Sequence, residues 1–121
     1  MPAASVADAD RPDWASNPKR MRRHDGTLVE VYAIGSLAAA LGKSSYSIRR
    51  WERIGVLPET PLVQAVRGGP PRRLFLRDQI EALVVIAEQE GLAGRKPTQI
   101  SKTEFTARAQ ALYQQLFPEH V

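Results

Sequence analysis

The sequence contains no cysteine and only two histidines, and these absences exclude several kinds of chemistry. Without a thiol there is no disulfide framework, no thiolate metal site and no thiol redox chemistry. His24 falls in a predicted turn, His120 lies near the last residue, and the acidic residues are scattered singly. No group of side chains therefore suggests acid–base or metal catalysis. We expect no enzymatic activity and no cofactor.

Long apolar runs are also missing. No segment approaches the length of about 20 apolar residues that crosses a bilayer, and the first residues do not form a signal peptide. We therefore expect an intracellular, cytoplasmic protein without a membrane partner. The hydrophobic share of 43% is enough for a modest core in a single domain.

Positive charge is present in excess and is supplied mainly by arginine. The net charge is +4, and arginine outnumbers lysine 13 to 4. The planar guanidinium group makes paired hydrogen bonds to phosphates and to guanine edges, which a lysine ammonium does not. This composition favours a polyanionic partner.

The central stretch, residues 34–55, predicts two short helices joined by a tight turn. Apolar residues from Ile34 to Leu41 have helical spacing, and Gly42 is typical of a helix end. A second helix is expected to be capped by Ser44 or Ser45 and to end at Gly55. Its predicted buried stripe consists of Ile48, Trp51 and Ile54. Such a pair indicates a helix-turn-helix, whose second helix lies in the DNA major groove.

Segments on both sides of this pair carry clusters of arginine. Residues 1–17 have the composition of a disordered leader in which Trp14 is loosely held. The following basic run is either a solvated tail or an arm along a phosphate backbone. Asp25-Gly26 then predicts a two-stranded ribbon, or at least one strand at residues 28–32. Further on, extended residues 62–66 and 74–76 flank a Gly- and Pro-rich loop, which predicts a second hairpin with arginines at its tip.

Two more helices are predicted after the second hairpin. Asp78 and Glu81 have capping-box spacing for a helix that ends at Gly91, and Ser101 and Glu104 have the same spacing for the last helix. The apolar residues of the last helix suit either a short coiled-coil seam or packing on the same domain. We favour the seam and expect a homo-oligomer formed through Phe105, Leu112 and Leu116.

Residues 31–92 resemble the MerR-type winged helix-turn-helix domain. The resemblance is carried by YAIGSLA at 32–38, IRRWERIGVLP at 48–58, RLF at 73–75 and QIEAL at 79–83. It implies a mainly α fold with a small β-hairpin wing. Residues 18–92 would form the DNA-binding domain with its basic arm, and residues 93–121 a linker and a short amphipathic helix.

The resemblance also implies roles for single residues. Tyr46 and Arg49 occupy positions of the recognition helix that face DNA, and Arg50 stands where the family usually has an aromatic that contacts the backbone. Trp51 and Phe75 occupy core positions. Apart from the resemblance, the position of Glu52 among Arg49, Arg50 and Arg53 predicts an ion pair that orients these arginines. The predicted DNA contacts are Lys43, Ser44, Ser45, Tyr46, Ser47, Arg49, Arg50, Arg53, Arg67, Arg72 and Arg73, with Lys19, Arg20, Arg22 and Arg23 in the arm.

The chain departs from typical MerR regulators in lacking a cysteine-based effector site and a long dimerisation helix. A compact domain of this kind is also similar to excisionase-type architectural factors and to the DNA-recognition domains of phage small terminase subunits. We therefore expect sequence-selective binding of double-stranded DNA, by a transcriptional regulator or a phage-type DNA-binding factor. DNA packaging and recombination are the alternative roles, and a protein-interaction module that does not bind DNA is the alternative of another class.

Overall fold

The computed structural model describes residues 12–23, 25–92, 100 and 103–118. Within these residues the chain forms four strands and four α-helices. In chain order they are β1 (Lys19–Arg22), β2 (Leu28–Ala33), α1 (Ile34–Leu41), α2 (Ser45–Arg53), β3 (Val63–Gln64), β4 (Arg72–Leu76), α3 (Arg77–Gln89) and α4 (Phe105–Leu116). None of the described helices is long and apolar enough to pass through a bilayer.

The four strands form one antiparallel sheet in the order β1-β2-β4-β3. Each predicted hairpin is present, but the pairing of β2 with β4 joins the two, with Tyr32 opposite Phe75. The side chains of both residues are fully buried. The fold is therefore mixed α/β, whereas the sequence predicted a mainly α fold with a small β-hairpin wing. Local patterns identify each hairpin, whereas the contact between hairpins depends on long-range packing.

The basic run after residue 18 is a strand, not a tail or a free arm. Residues 19–22 form β1, which pairs with β2 so that Lys19 lies opposite Val31 and Arg22 opposite Leu28. Gly26 adopts a φ of 91° in the connecting turn, a conformation that glycine adopts without strain. The Asp-Gly hairpin prediction is thus confirmed.

Part of the predicted leader is packed against the domain. Asp13–Ala15 forms a 3-10 turn, and Ala15 is fully buried. The ring of Trp14 meets the ring of Tyr32 edge-on, with 5.4 Å between centroids. Trp14 is therefore held in place, and the boundary at residue 17 was drawn too late. Residues 1–11 lie outside the described part of the chain.

The turn between α1 and α2 follows the sequence signals. Gly42 ends α1 in the left-handed conformation, with a φ of 68°. The side chain of Ser44 accepts a hydrogen bond from the backbone N–H of Ser47 at 3.1 Å and so caps α2. This short connection sets the direction of α2 relative to α1.

The buried face of α2 differs from the prediction. Ile48 and Glu52 are buried and Trp51 is half-buried, whereas Ile54 is 55% exposed. A spacing of three residues drifts by about 60° per step around a helix with 3.6 residues per turn, so Ile54 falls about 120° from Ile48. Glu52, four residues after Ile48, stays on the buried side.

The start of α3 also differs. The helix begins at Arg77, and the Gln79 side chain accepts a hydrogen bond from the backbone N–H of Leu76 at 3.0 Å. The predicted capping box of Asp78 and Glu81 is therefore wrong by two positions. Gly91 has a φ of 75°, as expected for a residue that follows a helix end.

The last helix packs on its own domain. Phe105, Ala109, Tyr113 and Phe117 recur at four-residue spacing and are all buried. A side chain with no exposed surface cannot form a seam with a second chain, so Phe105 is not the predicted oligomer contact. Leu112 and Leu116 pack against the same core and are only half-buried. The helix begins at Phe105, four residues later than predicted, and Ser101 lies outside the described residues.

Polar contacts fix α4 beside α3 and beside the turn that follows α2. Glu90 accepts hydrogen bonds from the backbone N–H of Glu104 at 2.9 Å and from Arg108 at 3.2 Å. These two bonds, the first more than the second, lower the pKa of the Glu90 carboxyl. The Thr106 hydroxyl donates to the carbonyl of Val56 at 2.7 Å. These hydrogen bonds therefore hold α4 against the end of α3 and against the residues that follow α2.

Replacing Phe105 with alanine tests this packing. We expect Phe105→Ala to lower the free energy of unfolding by about 3–5 kcal/mol, because it removes a fully buried ring. Urea titration followed by circular dichroism measures the change, with Val85→Ala on the exposed side of α3 as the control. The loss should be independent of protein concentration; a midpoint that rises with concentration would instead indicate contact between chains.

Candidate nucleic-acid interface

A groove of about 620 Å³ separates α2 from the β3–β4 ribbon. Arg49 lines it from α2, Arg72 and Arg73 line it from β4, and Pro70 and Pro71 form part of its wall. The second helix of the pair and the arginine-bearing hairpin therefore face the same side of the molecule. This arrangement is required if one ligand is to contact both.

Most of the predicted contact residues present their side chains to solvent. Tyr46 is 68% exposed although it is a large aromatic residue. The predicted residues in the exposed class are Ser44, Tyr46, Arg49, Arg50, Arg53, Arg67 and Arg72, and those half-buried are Lys43, Ser45, Ser47 and Arg73. Ser44 and Ser47 are occupied by the helix cap, because the Ser44 hydroxyl also donates to the Ser47 hydroxyl at 3.0 Å.

Six cations on α2, on the turn before it and on the β3–β4 ribbon are available for a ligand, and two of them, Arg49 and Arg72, line the groove. Within the part of the chain that the structure describes, Lys43, Arg49, Arg50, Arg53, Arg67 and Arg72 make no ion pair. Unpaired guanidinium groups on one side of a domain produce a positive potential there. Such a surface attracts a polyanion, and the strength of this attraction depends on the salt concentration.

Arg73 is the exception, because it is paired with Glu52. The Nε atom of Arg73 lies 2.9 Å from Oε1 of Glu52, whose side chain is 1% exposed. Neither carboxylate oxygen accepts a well-directed hydrogen bond from the described residues. The expectation that Glu52 orients the arginines of its own helix was therefore wrong: it faces inward and meets the ribbon. Its four-residue spacing from Ile48 was the signal that could have indicated this.

Burial changes the chemistry of Glu52. Removal from water raises the pKa of its carboxyl above the ordinary value of 4.5, and the positive charge of Arg73 acts in the opposite direction. The charge of Arg73 thus offsets only part of the desolvation of the Glu52 carboxylate at the junction of α2 and β4.

The basic residues of β1 do not line the groove, although Lys19 lies opposite Val31, about 7 Å along β2 from Ala33. Arg22 lies opposite Leu28, about 17 Å along β2 from the groove residue Ala33 at 3.4 Å per residue. Its guanidinium donates to the carbonyl of Gly26 at 2.8 Å. The Arg23 guanidinium lies 5.8 Å from the centre of the Phe117 ring. The structure thus brings Arg49, Arg72 and Arg73 together and leaves the predicted arm elsewhere.

A second cleft lies between α4 and the loop after α2. It measures about 430 Å³ and is lined by residues of 58–61 together with Tyr113 and Phe117. It contains no convergent set of charged groups. Across the described residues, no three histidine, aspartate or glutamate side chains are placed to hold a metal ion.

Comparison of the chain with protein-family models, with curated proteins and with solved structures finds no match.

The titration of Glu52 has a measurable effect on stability. When the pH rises above 4.5, the unfolded chain releases this proton before the folded chain does, which favours unfolding. The contribution of the Glu52 carboxyl to the unfolding free energy is thus fully present below its pKa in the unfolded chain. This contribution is lost as the pH rises through its higher pKa in the folded chain. Urea titrations at a series of pH values measure the unfolding free energies of the wild type and of Glu52→Gln. We expect the wild-type value minus the variant value to fall as the pH rises through this interval. A difference that increases with pH would contradict the assignment.

Proposed function

We propose that this protein is a sequence-selective binder of double-stranded DNA that uses a winged helix-turn-helix of the MerR type. In this proposal α1 and α2 are the helix-turn-helix and the β3–β4 ribbon is the wing. The observation that carries it is the groove shared by Arg49 of α2 and Arg72 of the ribbon. A single duplex could contact a helix in its major groove and the wing on the adjoining backbone.

The exposed residues of α2 suit the two kinds of DNA contact. Tyr46 and Arg49 stand on the solvent side and can meet base edges, where arginine pairs with guanine through two hydrogen bonds. Phosphate contacts, which set register and much of the affinity, are proposed for Lys43, Arg50, Arg53, Arg67 and Arg72. The arm residues Lys19, Arg20, Arg22 and Arg23 are at most peripheral, because β1 lies at the far edge of the sheet.

The packing of α4 bears on the biological role. A regulator that acts as a dimer needs an exposed dimerisation helix, whereas the apolar side of α4 covers its own core. This favours the excisionase-like architectural role as the second candidate, in which copies assemble only along DNA. The molar mass in solution with and without duplex DNA separates these roles. A molar mass that remains that of the monomer when duplex DNA is added would indicate the protein-interaction module instead.

The reading of a base by Arg49 is tested by substitution with alanine. We expect Arg49→Ala to lose about 1–3 kcal/mol of affinity for a site selected by the wild type from random duplexes, and less for unselected DNA. Fluorescence anisotropy with both duplexes measures the two losses. Equal losses would show that Arg49 contacts a phosphate and not a base. Val85→Ala on the exposed side of α3 is the control.

Contact of the wing with phosphates is tested by Arg72→Ala. Because phosphates carry no sequence information, the variant should weaken binding to all duplexes alike and reduce the salt slope by about 1. Titrations at several salt concentrations measure this slope. The control is Arg77→Ala, because Arg77 is already paired with Glu81 at 2.6 Å and lies outside the groove. A loss confined to the selected site would contradict the phosphate assignment.

A further inference from the structure

A buried anion stands behind a surface that is proposed to bind an anion. Glu52 belongs to the last turn of α2, and its carboxylate approaches Arg73, which lines the groove. By charge alone, a carboxylate in this place repels phosphate and weakens binding. A buried ion pair is also weak evidence for stability, because desolvation offsets the attraction. The position of Glu52 therefore needs another account.

The geometry of the Arg73 side chain explains why a carboxylate is placed there. A guanidinium carries five N–H donors in a fixed planar fork. The Nε atom of Arg73 lies 2.9 Å from the Glu52 carboxylate as an ion pair without a well-directed hydrogen bond, while 39% of the Arg73 side chain remains exposed. The other nearby carboxylate, Glu59, lies 3.9 Å from Nη2 and is 72% exposed, so it is free to move away. The buried carboxylate thus pairs with Arg73 at Nε, and the same arginine lines the groove.

We propose that Glu52 is a positioning residue, which fixes Arg73 and with it the ribbon in one orientation relative to α2. The two partners belong to different elements, so their contact ties the proposed recognition helix to the proposed wing. Fixing the side chain before binding reduces the conformational entropy that is lost on contact with DNA. The inference rests on the proposed function, because it concerns the same groove.

The substitution Glu52→Gln distinguishes positioning from charge by the sign of its effect. If only charge mattered, removing a negative group would strengthen binding to DNA. Positioning predicts instead that Glu52→Gln weakens binding to a duplex of random sequence by about 5- to 30-fold and lowers the salt slope by about 1. The matched control is Glu59→Gln, which makes the same change of charge near the same arginine. It should bind as tightly as the wild type or more tightly.

A second variant keeps the test valid if Glu52→Gln does not fold, which thermal unfolding would reveal. Arg73→Lys keeps the positive charge but loses the planar fork and the Nε–H. A direct phosphate contact and positioning both predict weaker binding for this variant. Only positioning predicts that the salt slope also falls by about 1, because a lysine that still contacts the phosphate keeps the slope. In the Arg73→Lys background, Glu52→Gln should cause no further loss, since the group it positions is already absent.

The possible failures can be told apart. If the wild type binds no duplex, the proposed function itself is wrong. If the wild type binds and Glu52→Gln binds equally or more tightly, only the positioning role is overturned. Independent losses that add in the double variant would show that Glu52 acts on α2 without Arg73, which also overturns it.

Discussion

The pairing of β2 with β4 is the constraint on which the rest of the structure depends. Tyr32 and Phe75 are 43 residues apart in the chain and lie opposite each other in the middle of the sheet, both fully buried. The end of β2 leads directly into α1, and β4 carries the ribbon arginines. This register therefore places the two-helix unit and the ribbon on the same side. Without it, the two would be separate local structures with no shared groove.

Burial and charge oppose each other at one place in this arrangement. Most cations near the groove are exposed and unpaired within the described residues, but Arg73 is held by a carboxylate that has been removed from water. An uncompensated charge in that place would be strongly destabilising, so the two groups have to remain together. The ion pair between Glu52 and Arg73 consequently connects α2 with β4, the two elements that form opposite sides of the groove.

The last helix shows how one apolar stripe supports different assemblies. The same spacing that suits a coiled-coil seam also suits packing on a neighbouring helix of the same chain, and here Phe105 and Tyr113 are covered by their own domain. Hydrogen bonds from Glu104 and Arg108 to Glu90 also hold the start of α4 against the end of α3. The buried face of this helix thereby stabilises the fold next to α2.

The sequence by itself determined the local elements. Glycine at 42, serine at 44 and the Asp-Gly pair at 25–26 act through the conformations and hydrogen bonds of adjacent residues, so the α1–α2 turn and the first hairpin were predictable. Only the tertiary structure decided the joining of the hairpins, the inward direction of Glu52 and the docking of α4. These depend on which surfaces meet across long stretches of chain, and periodicity identifies a buried face without identifying what covers it. For the same reason arginine content indicated a polyanion, whereas the groove that unites Arg49 and Arg72 and leaves β1 apart required the folded chain.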